Sequence, residues 1–125
     1  MLKSIDCVLI WSESPFKLAK FYENKLELVK LKKLTHPKDT GILFKLESGP
    51  YFWIGKHSEV KGKNKDSARH MMNFLVDSVE EEYKKLKKNN VKFIAKPFEG
   101  PVGNGYFATF KDPDGNLLQL WSKKK

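Results

Sequence analysis

The sequence predicts an α+β fold: two βαβββ modules forming a curved mixed sheet, with the helices on its convex face. Three observations carry that prediction. The elements run strand, helix and three strands and then begin again, a repeat visible in order though hardly in residue identity. Each of the two helical stretches is apolar along one stripe only, so each has a single face to bury against a sheet. The strands alternate in polarity, and their two faces differ in character.

Residues 5–11, Ile-Asp-Cys-Val-Leu-Ile-Trp, are β-branched, aromatic and apolar, the composition of a strand. Ser14-Pro15 then offers an N-cap and a first helical residue. A helix over 15–26 places Leu18, Ala19, Tyr22 and Leu26 on one face, with Lys17, Lys20 and Glu23 outward. Three strands follow at 27–34, 40–46 and 51–56, separated by His36-Pro37-Lys38-Asp39 and Ser48-Gly49-Pro50. The polar, lysine-laden stretch 58–67 has no periodicity and reads as an exposed linker or mobile loop. Module 1 therefore occupies about 1–57, the linker about 58–68 and module 2 about 69–125, all in one domain.

In the second module, Met71 to Val76 is a strand, and Ser78-Val-Glu-Glu81 is a capping box opening a helix that buries Val79, Tyr83 and Leu86. Asn89-Asn90 stops it. Strands at 91–95, 105–111 and 117–122 complete the module, with 97–104 as a long Gly/Pro loop between the first two. The last hairpin turns at Asp112-Pro-Asp-Gly-Asn116. There Asp112 hydrogen-bonds its own backbone, Pro113 presets φ, and Gly115 takes the left-handed conformation.

Composition removes several function classes. The 125 residues are 40% hydrophobic and 31% charged, as in an ordinary globular protein, and no run reaches the length of a membrane span. Met1-Leu-Lys-Ser-Ile-Asp has charge where a signal peptide would be apolar. The single cysteine, Cys7, permits no intrachain disulfide, which suits a reducing cytoplasm. The net charge of +9 invites a nucleic-acid reading, but Arg69 is the only arginine among 24 basic residues. Without guanidinium forks, the scattered lysines read as a solvated surface, with no nucleic-acid and no membrane partner.

Val8 to Trp11, the Phe21-Tyr22 pair, the stretch Phe74 to Leu86 and the ending Gly105-Tyr-Phe-Ala-Thr-Phe-Lys-Asp-Pro-Asp-Gly-Asn116 together resemble the vicinal oxygen chelate superfamily. That group includes glyoxalase I, extradiol dioxygenases, and the fosfomycin and bleomycin resistance proteins. The resemblance implies paired βαβββ modules. In the family's enzymes it also implies a divalent metal held by four side chains, one from each of four strands. Carried onto this chain, those four positions fall on Cys7, near Trp53, on Met71 and on Gln119. A thiolate binds zinc, but a thioether and a neutral amide are poor partners and an indole coordinates nothing. No metal and no other cofactor is therefore expected. His57, on the parity of Trp53, leaves a displaced site with Cys7 conceivable, and with it a glyoxalase-like lyase or isomerase or a dioxygenase.

Alternation extends the four positions into a face. Leu9 and Trp11 share the parity of Cys7, Tyr51 that of Trp53, Asn73 and Leu75 that of Met71, and Trp121 that of Gln119. Phe107 and Thr109 join them from the penultimate strand. The opposite set, Val8, Ile10, Phe52, Ile54, Met72, Phe74, Val76, Leu118 and Leu120, is apolar and belongs under the helices. An aromatic wall with a few amides and hydroxyls suits a planar or amphipathic small molecule. It equally suits a dimer interface, or a cleft filled by its own side chains in an accessory subunit. The expected ligand-binding residues are Cys7, Trp11, Tyr51, Trp53, Met71, Asn73, Phe107, Thr109, Gln119 and Trp121. The chain thus reads as closest in character to the metal-free bleomycin-resistance branch: a cytoplasmic homodimer that sequesters a small molecule, such as a drug or toxin, without chemistry on it. Other constellations are thin. Cys7 lacks a base at diagnostic spacing, Glu80-Glu81-Glu82 suits a helix N-terminus, and Gly100 to Gly105 reads as a flap.

Overall fold

In the computed structural model, which describes all 125 residues, the chain divides into two units, Met1–Gly62 and Lys63–Lys125. The first holds β1 (Cys7–Ser12), α1 (Pro15–Lys20), β2 (Val29–His36), β3 (Asp39–Lys45) and β4 (Tyr51–Lys56). The second holds β5 (Met71–Leu75), α2 (Val79–Lys88), β6 (Phe93–Glu99), β7 (Tyr106–Lys111) and β8 (Leu117–Ser122). Each unit is a βαβββ module with one four-stranded mixed sheet, ordered β1-β4-β3-β2 and β5-β8-β7-β6. The first strand of each module runs parallel to its last, and the other pairs are antiparallel.

One face of each sheet is covered by that module's helix. Under α1 lie Phe44, Phe52 and Ile54, fully or almost fully buried with Leu18, Ala19 and Tyr22. The Tyr22 and Phe52 rings meet edge to face at 4.9 Å. Under α2, Val79 and Leu86 pack with Ala108, Phe110, Leu118 and Leu120, while Phe93 bridges Tyr83 and Phe110. Burial alternates along β8, whereas in β4 all four central residues, Phe52 to Gly55, are buried.

Several boundaries differ from the sequence expectation. The first helix is α-helical only to Lys20 and then widens through Phe21–Lys25, where the Leu26 N–H reaches the Phe21 carbonyl five residues back, at 3.2 Å. Phe21 and Tyr22, which open this wider turn, are both buried, at 8% and 0% exposure. Glu27 then takes φ 59°, and β2 starts at Val29 instead of residue 27. It runs on to His36, where a two-residue turn at Pro37-Lys38 suffices, since Lys38 N–H donates to His36 Nδ1 and Thr40 Oγ1 to the His36 carbonyl.

The start of α2 follows its capping signal, with Ser78 Oγ accepting from the Glu81 N–H at 3.2 Å. Its end is a paired left-handed cap: Asn90 sits at φ 65°, Asn90 N–H donates to Lys87 and Val91 N–H to Leu86. Val91 therefore belongs to the cap, and β6 begins only at Phe93. It continues past the expected loop start at Pro97 to Glu99. The register shifts between Ala95 and Phe98, so Pro97 sits in a bulge on an edge strand, where no ladder donor is missed.

The polar stretch after β4 contains a helical turn at Ser67–Arg69. It is tied down at two points: Gly62 N–H donates to Glu13 Oε1 at 3.0 Å, and Asn64 donates to the Asp114 carbonyl at 2.7 Å and to Asn116 Oδ1 at 3.1 Å. No helix is long and apolar enough to cross a membrane.

Candidate functional site

The sheet face opposite the helix carries the expected site residues, and register arranges them in rows across each sheet. In the first unit, Cys7 pairs with Tyr51, Leu9 and Leu43 flank Trp53, and Trp11 and Gly41 flank Gly55. Trp53 is 8% exposed because its indole lies over the two glycines. A Cβ on Gly41 would come 2.5 Å from Trp53 Cζ2, and one on Gly55 would strike Trp53 Nε1 and come 2.9 Å from Trp11 Cζ3. Trp11 and Tyr51 remain open, at 40% and 44%. The His57 ring stands edge-on to Trp11 at 5.5 Å, and its Nδ1 accepts from the Glu59 N–H.

The half-buried Cys7 thiol points at the Val8 carbonyl, 3.6 Å away. Burial raises its pKa above the ordinary thiol value, and the Asp6 carboxylate adds to the rise, while the Trp53 backbone N–H works against both. The rise works against a free thiolate at neutral pH, and so against Cys7 as a nucleophile. Iodoacetamide should label Cys7 more slowly in the folded protein than in urea at pH 8.5, with its rate midpoint at higher pH when folded. A midpoint lower than in urea would contradict this assignment.

In the second unit three rows stack along the strands. Asn73, Gln119 and Thr109 are in register on β5, β8 and β7, continued by Ala95 on β6. Two residues further along β8, Leu75, Trp121, Phe107 and Phe98 form an aromatic row, with the Phe98 and Phe107 rings stacked at 5.6 Å. Two residues back, Met71, Leu117 and Lys111 form the third. The parity expected for Phe107 and Thr109 holds. Gln119 Nε2 makes one long contact, 3.5 Å, to Thr109 Oγ1, which leaves its carbonyl oxygen and second N–H for other partners. Trp121 is held by its indole N–H, which donates to the Asn104 carbonyl at 2.8 Å.

The metal implied by the sequence resemblance does not fit these residues. Of the carried-over positions, Trp53 spends its side chain on the glycine row, Met71 is a thioether 44% exposed and Gln119 is a neutral amide, which leaves Cys7 as the one credible donor. Within neither unit do three His, Cys, Asp or Glu side chains gather at metal-ligand separation. The displaced Cys7 and His57 pair fails on register. Cys7 lies opposite Tyr51 and Ser12 opposite Lys56, so His57 is beyond the far end of the same ladder, on the order of 20 Å away along the strand.

Sequence reasoning overlooked the glycine row under Trp53, the anchoring of Trp121 by Asn104, and Lys111 on the same face. The first had a signal in Trp53-x-Gly55, a large ring two residues from a position with no side chain. The second had none, because it joins residues 17 positions apart.

The family model of the Glyoxalase/Bleomycin resistance protein/Dioxygenase superfamily matches residues 4–120. A superfamily member from Sphaerobacter thermophilus superposes with a TM-score of 0.79 at 20% identity, covering 98% of each chain. A domain of the same description from Frankia sp. EAN1pec gives 0.79 at 18% identity, again over 98% of each chain. Lactoylglutathione lyase from Agrobacterium tumefaciens gives 0.68 at 16% identity, over 97% of this chain and 94% of its own. At such identities the likeness is one of fold. No curated protein sequence matches the chain. With the family model matching residues 4–120, and so reaching into both modules, the chain belongs to the glyoxalase/bleomycin resistance protein/dioxygenase superfamily.

Proposed function

We propose that this protein binds an aromatic or amphipathic small molecule without metal chemistry, as a cytoplasmic homodimer that sequesters its ligand, such as a drug or toxin. The observation that carries the reading is the pairing of a lost donor set with a gained surface. Where a divalent ion would need carboxylates and imidazoles, the chain has Trp53, Met71 and Gln119, and around them stand exposed Trp11, Tyr51 and Asn73. Both modules act as one functional domain in this reading. Its proposed ligand-binding residues are Cys7, Trp11, Tyr51 and Trp53 on the first module's sheet, and Met71, Asn73, Phe107, Thr109, Gln119 and Trp121 on the second's.

Apolar exposure on these faces supports a partner or ligand that covers them, since Leu9, Tyr51, Met71 and Leu75 are between 44% and 71% exposed. A second reading, an accessory subunit with a filled cleft, draws on Trp53, whose indole already occupies its own sheet face. A glyoxalase-type lyase or dioxygenase, suggested by the lactoylglutathione lyase neighbour, has no donor set here to support it.

Titration of intrinsic tryptophan emission with a panel of planar aromatic compounds tests the proposal. A saturable change is expected, cut by more than half in Trp121→Phe. No response to any compound would favour the filled-cleft reading.

A further inference from the structure

The three rows of the second unit differ in chemistry, and their order along the strands specifies a ligand. At one end is the aromatic row of Trp121, Phe107 and Phe98, and in the middle the neutral row of Asn73, Gln119 and Thr109. At the other end Lys111 projects from the same face, opposite Leu117. No carboxylate lies among the paired residues of that face, which are Met71, Asn73, Leu75, Leu117, Gln119, Trp121, Phe107, Thr109, Lys111, Ala95 and Phe98. Successive rows are two residues apart, roughly 6.7 Å along a strand, so the aromatic and lysine rows are separated by roughly 13 Å. The flexible lysine stem shortens the span its ammonium must cover.

From this order we infer that the second module's sheet face selects an elongated aromatic anion: a ring system, a neutral amide-like linkage and a terminal anionic group such as a carboxylate or sulfonate. The inference rests on the ligand-binding reading above and adds a charge and a direction to it. The ring lies against Trp121 and Phe107, where flat apolar area is richest. The linkage meets Gln119 and Asn73, whose carboxamides both donate and accept, so a C=O and an N–H of the ligand are each satisfied. The anion meets Lys111, a point charge with rotatable donors that needs no fixed fork. The net charge of +9 draws such a molecule in from solution and repels cationic aromatics. The first module repeats only part of this pattern. Lys45 has the parity of Leu43, as Lys111 has that of Thr109, but Leu9 and Leu43 stand beside Trp53 where the second module has Asn73 and Thr109 beside Gln119.

The test uses the full chain and two fluorescent probes, dansylglycine and its neutral analogue dansylglycinamide, which share ring and sulfonamide linkage and differ in the terminal charge. At about 0.05 M salt, dansylglycine should bind about fivefold more tightly, as expected for one exposed charge pair, and the preference should fade at about 0.5 M. Lys111→Met should erase the preference and leave dansylglycinamide binding unchanged, and Gln119→Leu should weaken both probes. Lys88→Met, on helix α2, should change neither. Equal binding of both probes, or an intact preference in Lys111→Met, overturns the anionic-end assignment and leaves the aromatic-ligand reading standing. Failure of both probes to bind overturns the two together.

Discussion

Asp112→Ala is expected to lower the melting temperature by roughly 10 °C, through a loss of about 3 kcal/mol. Asp112 is 4% exposed, and one carboxylate oxygen accepts from the backbone N–H groups of Asp114 and Asn116, both at 2.9 Å. The other accepts from the Asn116 side chain at 2.8 Å. Alanine strips the partner from three donors at once, and hydrogen bonds to an ionised acceptor are the stronger kind. The turn also holds Asn64 through the Asp114 carbonyl and Asn116 Oδ1, so its collapse releases the segment before β5 as well as the β7–β8 hairpin. Asp112→Asn keeps one acceptor oxygen and should fall between. Thermal unfolding followed by far-UV circular dichroism measures the series, and a shift below about 2 °C for alanine would mean the carboxylate carries little of the turn.

Gly105→Ala should cost a similar amount, about 3 kcal/mol, for a different reason. Gly105 has φ 111°, in the region L side chains rarely adopt, and an added Cβ would lie 2.7 Å from the Ser122 carbonyl and 2.6 Å from Trp121 Nε1. The first neighbour is backbone and has no room to yield. The second is the indole that donates to Asn104, so the substitution should also dislodge Trp121 from its anchored position. In a Trp11→Phe, Trp53→Phe background, where Trp121 alone emits, a red shift should accompany the loss of stability. Gly103→Ala is the matched control: φ is 66°, but nothing stands within 4 Å of the new Cβ, and only about 1 kcal/mol should be lost. Equal effects at the two glycines would show that backbone strain alone, and not contact with Trp121, sets the cost.

The legible parts of the fold were those with a local cause. Ser78 and Asn89-Asn90 delimit α2 because capping donors and acceptors lie within five residues of each other in sequence. Asp112 to Gly115 closes a hairpin by the same economy. The boundaries that moved were those where packing outweighed local preference. The expected helix over 15–26 is α-helical only over Pro15–Lys20 and widens through Phe21–Lys25, where Phe21 and Tyr22 are both buried. Pro97 reads as a loop residue, yet an edge strand with a bulge tolerates it, and whether a strand is an edge is a property of the sheet.

The candidate site divides along the same line. The positions implied by the family resemblance, extended by alternation, put Asn73, Thr109, Gln119, Phe107 and Trp121 on one face before any partner strand was known, because the period of two is built into extended backbone. The residues standing at the four carried-over positions, Cys7, Trp53, Met71 and Gln119, were also readable, since the identity of a residue at a position belongs to the chain itself. Register was not readable, and register decides the chemistry. It put Thr109 opposite Gln119 and Lys111 opposite Leu117, and it separated Cys7 from His57 by the length of a strand. Burial also had to come from the assembled sheet: Trp53 is covered because Gly41 and Gly55, on two different strands, leave its ring a floor to lie on. Residue type and spacing are local quantities written into the chain, whereas pairing, register and cover are relations between segments that exist only once the strands have come together.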